Sequence, residues 1–283
     1  MKVKRIALSP SGKKYSINDL NISLNINEGE LPRTKLKDDL IQTSKGEYVH
    51  LYDANFKDNF VNIQKPAAII NPKDAGMIIA KTGMTKDFVV IDAGAGSGAL
   101  ACTLASLCKK VYCYDINEKH VEAVNQNISD LELKNITCEL KDVYTLDPVE
   151  KVDLMTIDVP EPWRVLEVAK KALKKGGYLV LYTPQITQAQ KAILELDQDF
   201  HHEVTCELIK RDWEIEGEKV RPSHTMLGHT AFLTFIRYYP KLVETNIVKK
   251  TNPKKSARLE RLKHKKELSP EEELKTMNSF NEI

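Results

Sequence analysis

No stretch of eighteen consecutive apolar residues occurs in this chain of 283 residues, so no segment has the length and character of a membrane-spanning helix. The start of the chain also lacks the charged-then-apolar run of a secretory signal. A large excess of one charge is missing: 42 Lys and Arg face 40 Asp and Glu, for a net +2 at pH 7. Any attraction to a polyanion must therefore come from a local patch rather than the whole surface. Cysteine is sparse. Cys102, Cys108, Cys113, Cys138 and Cys206 stand in apolar contexts with no CxxC pair, which argues against a disulfide scaffold or a thiolate metal site and reads as buried free thiols. The expectation is a soluble, intracellular protein with enough chain for two modest domains.

What is present is a glycine loop. Phe88 to Asp92 is a β-branched apolar run ending in an acid; Gly94, Gly96 and Gly98 follow, and an apolar helical pattern opens at Ala99 and Leu100. Strand, tight turn and helix in that order let the backbone take positive φ and lie against a ligand, with the first helical N–H groups turned toward it. Gly94-x-Gly96-x-x-Ala99 also fits a relaxed dinucleotide fingerprint. Asp115, closing the second strand Lys110 to Asp115, suits the ribose hydroxyls of either cofactor. Asp92 and the third glycine, Gly98, favour S-adenosylmethionine, because together they resemble the acid-x-Gly-x-Gly-x-Gly loop of class I methyltransferases.

Residues 1–65 alternate short strand-like pieces (Lys2 to Leu8, Leu20 to Ile26, Gly46 to Tyr52) with Gly, Pro and Asn turns, the pattern of a small antiparallel β-domain. It can serve as a packing cap or as a docking element for a large substrate. Residues 66–240 alternate strands and helices, which predicts a parallel sheet with crossover helices. Helices are expected at Ala75 to Lys81, Glu118 to Asp130, Trp163 to Leu173 (capped by Lys174-Lys175-Gly176-Gly177) and Gln188 to Leu196. Strands are expected at Phe88 to Asp92, Lys110 to Asp115, Asn135 to Leu140, Asp153 to Ile157 and Tyr178 to Tyr182. The last two strands, Glu203 to Lys210 and Thr230 to Tyr238, have no helix between them and should close the sheet as an antiparallel hairpin. The fold class is α/β, a Rossmann-like sheet behind a small β-domain. Residues 241–283 form a charged tail, basic and then acidic, that reads as a solvated segment or a phosphate contact.

Two further stretches carry chemistry. In Met155 to Trp163 a strand delivers Asp158 to its carboxyl end, where ligands bind in open parallel sheets, and Pro160 and Pro162 then shape the loop. Asp142 ends the preceding strand and is placed to accept a bond from an adenine amine. Either carboxylate could instead simply cap a helix. The other stretch is Arg221 to Leu233, entering the final strand. His224 and His229 in it are too poorly spaced for a metal pair and have no third ligand nearby; loop anchoring or phosphate contact is the better reading. Trp163 and Trp213 read as packing or substrate-face aromatics.

Taken together, Ile69 to Ala75, Asp92 to Leu100, Ile157 to Trp163, Gln185 to Gln188 and Arg221 to Leu233 resemble the tRNA (adenine-N1)-methyltransferases of archaea and bacteria, which form 1-methyladenosine in the T-loop. The likeness covers residues 60–240. It implies S-adenosylmethionine against Gly94, Gly96, Ser97, Gly98, Ala99 and Leu100, with Asp115 on the ribose, His120 beside it and Asp142 at the adenine. Asp158 would be shared by cofactor and target base and act as the catalytic carboxylate. Asn71, Lys73, Arg221, His224 and His229 would face the tRNA. The family often has Tyr or His where this chain has Asn71, which offers no ring to stack on a base. A homotetramer is implied as well. Small-molecule methylation is disfavoured by the extra β-domain and the basic loop, and an inactive RNA-binding relic by the intact set Asp92, Asp115, Asp142 and Asp158.

Overall fold

The computed structural model describes residues 2–240, and the charged tail lies outside the described residues. The chain opens with strands β1 (Arg5–Leu8), β2 (Lys14–Ile17), β3 (Leu24–Ile26), β4 (Gly29–Leu31), β5 (Leu40–Gln42) and β6 (Tyr48–Asp53). Four of them make an antiparallel sheet in the order β2-β1-β6-β5, and β3 pairs with β4. The alternating residues Ala7, Ile17, Leu31, Ile41, Val49 and Leu51 fill its small core together with Leu36. The buried guanidinium of Arg5 staples this sheet: it donates to the carbonyls of Leu36 and Asp38 at 3.0 and 2.9 Å and to Asp39 Oδ1 at 2.9 Å. Three of the six strands, β1, β3 and β6, were legible in the sequence; β2, β4 and β5 are three or four residues long and were not read as strands.

A short helix, α1 (Phe56–Phe60), leads to the α/β body: α2 (Pro72–Thr82), β7 (Val89–Ala93), α3 (Ala99–Ala105), β8 (Lys110–Asp115), α4 (Glu118–Asp130), β9 (Ile136–Leu140), β10 (Val152–Ile157), α5 (Leu166–Ala172), β11 (Leu173–Thr183), α6 (Ile186–Leu194), β12 (Phe200–Cys206), β13 (Trp213–Glu216), β14 (Lys219–Pro222) and β15 (Phe232–Tyr238). Seven strands form one sheet in the order β12-β15-β11-β10-β7-β8-β9. The neighbours from β11 to β9 pair in parallel, and β15 runs antiparallel between β11 and β12. Successive residues of a strand enter opposite cores. Ile91, Met155, Ile157 and Leu179 pack beneath α5 and α6, while Val90, Leu154 and Val180 pack beneath α2, α3 and α4. Both faces are covered, which is why these strands read as unbroken apolar runs. Each such side chain contributes about 1.5–3 kcal/mol on burial.

Three expectations need correction. The helix expected from Trp163 to Leu173 is a tight 3-10 turn (Pro162–Val165) followed by α5, because Pro162 starts the turn and the helix is already complete at Ala172. Lys174 to Gly177 do not cap that helix. They belong to β11 as a bulge: Val152 pairs with Leu173 and Leu154 with Tyr178, so four residues oppose one. The closing pair is present as β12 and β15, but the chain between them makes another hairpin, β13–β14, turned by Gly217 (φ 57) and Glu218. The edge strand β12 begins at Phe200 rather than Glu203.

Four cysteines are buried, and Cys206 is half-buried; all five are free thiols. No helix among the described residues is long and apolar enough to cross a membrane.

Candidate active site

The chain crosses from β7 to β8 on one side and later returns to β10 on the other, so the carboxyl ends of β7 and β10 flank the point where the strand order reverses. That is where open α/β sheets bind ligands. A cavity of about 320 Å³ lies there, a volume suited to a small organic ligand. Gly94, Gly96, Ser97, Ala99, Leu100, Asp115, His120, Asp142 and Asp158, all singled out from the sequence, line this one cavity. Gly98 lies just behind it. At φ 70 it begins α3, and a Cβ there would meet Val124 of α4 at 2.8 Å.

The glycine loop is tied down by its neighbours. Asp115 Oδ2 accepts the Gly96 N–H at 2.9 Å and lies 3.2 Å from His120 Nδ1, while its Oδ1 accepts the Asn117 N–H at 2.8 Å. Asn127, fully buried on α4, donates to the carbonyls of Ser97 and Gln64 and accepts the Gln64 N–H. One amide side chain thereby joins helix, loop and the segment leading to α2. An asparagine in a helical stretch gave no sign of this in the sequence, because its partners are 30 and 63 residues away.

Three carboxylates converge beneath the loop. Asp92 is buried, and desolvation raises its carboxyl to about 7 against the opposing bond from the Thr156 hydroxyl; Asp158 and Asp115 add repulsion, and Cys113 offers a long bond from its thiol. Asp158 is open to solvent through the cavity but walled by protein elsewhere. That desolvation, and secondarily the nearby Asp115, push it up to about 6. The backbone of Asp158 is fixed by its N–H bond to Ala93 O at 2.9 Å, and Gln188 of α6 holds the following Pro160 carbonyl at 2.9 Å. Asp142 caps a short turn through a 2.8 Å bond from the Tyr144 N–H and at the same time lines the cavity.

The residues expected to face RNA are not gathered in the cavity. Asn71 caps α2, accepting the Lys73 N–H at 3.1 Å. Lys73 is turned inward, 2.6 Å from both Asp74 Oδ1 and Thr230 Oγ1, and Thr230 in turn donates to Asp74 Oδ2 at 2.8 Å. Arg221 pairs with Glu214 across the β13–β14 hairpin at 2.8 Å. His229 bonds Glu207 at 2.9 Å and the Pro184 carbonyl at 3.0 Å, contacts that raise its basicity in that order. His224 is exposed on the same loop. The sequence reading missed Ala67, Ala68 and Ile70, which wall the cavity from the segment before α2, and Ile116 and Tyr144, which follow the two strand-end acids. The small pair Ala67-Ala68 after Pro66 was the available signal. Asp74 went unrecognised as the hub of the Lys73 cluster. No group of three or more His, Cys, Asp or Glu arranged to hold a metal occurs among the described residues.

A family model described as the tRNA methyltransferase complex GCD14 subunit matches residues 48–221. Among characterised relatives, the tRNA (adenine(57)-N(1)/adenine(58)-N(1))-methyltransferase TrmI of Methanocaldococcus jannaschii is 31% identical over 232 residues, spanning 71% of this chain and 82% of that protein. Among solved structures, an S-adenosylmethionine-dependent O-methyltransferase from Thermotoga maritima superposes with a TM-score of 0.73 at 24% identity, covering 86% of this chain and 95% of the other. The tRNA (m1A58) methyltransferase TrmI from Aquifex aeolicus superposes with a TM-score of 0.70, also at 24% identity, covering 85% and 99%. At that identity the two structures establish the fold, that of class I methyltransferases.

Proposed function

Because the chain belongs to the GCD14 family of tRNA methyltransferase subunits, we propose that it is an S-adenosylmethionine-dependent tRNA methyltransferase acting on N1 of adenine in the T-loop, at position 58, with 57 a second candidate. The observation that carries this reading is the arrangement at the switch point. A carboxylate, Asp158, opens onto the same cavity as the glycine loop and the strand-end acids Asp115 and Asp142.

The residues fit the cofactor. Two carboxylates at the ends of adjacent strands, with Ile116 and Val143 between them, offer acceptors for ribose hydroxyls and an adenine amine beside apolar surface for a ring. Asp115 already accepts two backbone N–H bonds, yet a carboxylate has about four acceptor positions. The loop Gly94 to Leu100 would cradle the remainder, with His120 next to the ribose. When bound, S-adenosylmethionine supplies an electrophilic methyl group on a sulfonium. Adenine N1 carries a free lone pair, so the protein needs to position the base and exclude water rather than remove a proton. Asp158 would accept a bond from the exocyclic amine of the target base and stabilise the positive charge that develops on it. The base has to leave its stack to reach this site.

Asn71, Lys73, Arg221, His224 and His229 remain the proposed RNA-facing set, and their bonds divide the work. Lys73 is enclosed and shapes the wall from within, whereas Arg221, His224 and His229 are accessible to solvent. Residues 1–65 would dock the RNA body, residues 66–240 would carry the reaction, and the tail lysines would add phosphate contacts. Assembly as a homotetramer, which the family resemblance implies, would draw on the apolar face of the β13–β14 hairpin, where Trp213, Ile215 and Val220 are 58%, 75% and 60% exposed. The enzyme is expected in the cytoplasm, with its substrate.

The test is primer extension on an unmodified tRNA transcript incubated with protein and S-adenosylmethionine. Methyl on N1 blocks pairing, so reverse transcriptase should stop at the T-loop adenine, and the stop should vanish when that adenine is replaced. Methyl incorporation without that stop would assign another position, another atom or another substrate.

A further inference from the structure

A second cavity, of about 150 Å³, lies at the opposite end of the sheet, where β7, β10 and β11 begin and β15 ends. It is walled by the bulge Lys174 to Gly177, by Tyr178, by Asp153 and by Arg237. Nothing in the methyl-transfer reading uses it. The bulge is built tightly: Gly176 sits at φ 80, and a Cβ on Gly177 would lie 2.9 Å from Lys174 O and 3.1 Å from Asp153 O. Four residues are thus looped out of the strand to place two lysines beside Arg237.

The charges around this cavity do not cancel. Lys174 neutralises Asp153 through contacts of 2.8 and 2.9 Å, leaving the Lys175 ammonium and the Arg237 guanidinium without a carboxylate on the cavity wall. Glu203, the next acid outward, is engaged by Lys81 at 3.2 Å and by the Tyr178 hydroxyl, and its charge reaches Arg237 from outside the cavity, so the wall still keeps an excess of positive charge. The Arg237 guanidinium stacks on the Tyr178 ring at 4.0 Å, and its Nε is buried with no acceptor among the described residues. Arg237 as a whole is only half-buried and lines the cavity, so its outer guanidinium nitrogens, rather than the enclosed Nε, are what a ligand can reach. A planar donor fork fixed against an aromatic ring and flanked by an ammonium suits one acceptor class above others, a tetrahedral oxyanion.

We propose that this cavity is a phosphate-binding site, with Arg237 as the principal donor and Lys175 as the second cation. The group can come from an RNA phosphodiester or from a free phosphate-bearing small molecule. Both present the same oxyanion, and the site lies a sheet's length from the methyl-transfer cavity in either case.

The experiment is a phosphorus NMR titration of inorganic phosphate with the full-length protein, without cofactor or RNA, so that it stands apart from the methyltransferase reading. Saturable line broadening is expected. It should weaken roughly tenfold in Arg237→Gln and severalfold in the surface variant Lys175→Gln, whose folding is not at risk. S-adenosylmethionine affinity, measured in parallel, should be unchanged in Lys175→Gln. No saturable binding to the wild type, or binding that Lys175→Gln and a folded Arg237→Gln both leave intact, overturns the proposal. A second arm identifies the source. If the phosphate belongs to RNA, Lys175→Gln lowers tRNA affinity and reduces its salt slope by about one contact. If tRNA affinity is unmoved while inorganic phosphate binding is weakened, the ligand is a free phosphate compound.

Discussion

Gly94 and Asp158 meet backbone to backbone: a Cβ on Gly94 would lie 1.9 Å from the carbonyl oxygen of Asp158. The loop after β7 and the loop after β10 are thus pressed together at the switch point, and the absence of a side chain on Gly94 brings the proposed catalytic carboxylate to the glycine loop.

Gly94→Ala should therefore fail for a reason beyond its φ of 85. Gly12, at φ 81, has nothing within 4 Å of an added Cβ and isolates the conformational cost. Urea denaturation should show Gly12→Ala losing about 1–2 kcal/mol and Gly94→Ala about 2–4 kcal/mol, the excess being the clash with Asp158. Equal losses would mean that the two loops separate freely.

Asp158→Asn should reduce methyl transfer by on the order of 10²–10³ while leaving cofactor affinity within a fewfold. The wild-type pH profile adds a check. With the carboxyl raised to about 6, the accepting carboxylate is lost as pH falls through that value, so kcat/KM should decline on the acid side of about 6. In Asp158→Asn the residual rate should lack that limb. A limb of unchanged position in the variant would assign the titration to another group.

Asp115 organises both its own loop and the glycine loop through the Asn117 and Gly96 N–H groups. Removing it strips acceptors from ribose and backbone together, each charged bond being worth about 1.5–3 kcal/mol. Calorimetry should find S-adenosylmethionine at least tenfold weaker in Asp115→Ala, with no tight binding of a nicotinamide cofactor to the wild type. Tight nicotinamide binding would instead favour the dinucleotide reading of the loop.

Asp74 is fully buried between Lys73, Thr230 and Tyr182. Asp74→Ala leaves the Lys73 ammonium in the protein without its counter-ion, and breaking a buried pair from one side costs about 3–5 kcal/mol. The thermal midpoint should drop accordingly. The double variant Lys73→Met/Asp74→Ala should recover part of the loss, since it removes the stranded charge. A double variant no more stable than the single one would show that the ion pair is not the source of the effect.

The sequence alone determined the parallel sheet, the glycine loop and the strand-end acids, because these depend on local chemistry. A β-branched run buried on both faces is apolar throughout, a turn with positive φ needs glycine, and a ligand at the ends of parallel strands needs its acids directly after them. Helix α4 was legible to the residue, since Asn117 caps it and Val121, Val124 and Ile128 keep a helical period. Only the tertiary structure decided matters that depend on distant partners. Lys73 reads as a surface cation until Asp74 and Thr230, 157 residues from the lysine, are seen to enclose it. Asn127 reads as one polar residue in an exposed helix until Ser97 and Gln64 are found on its amide. Lys174-Lys175-Gly176-Gly177 has the composition of a helix cap, and its place as a bulge beside Arg237 was set by the register of β10 against β11. Charge, burial and hydrogen-bond satisfaction are properties of what surrounds a side chain, and those surroundings exist only once strands remote in sequence have come to lie side by side.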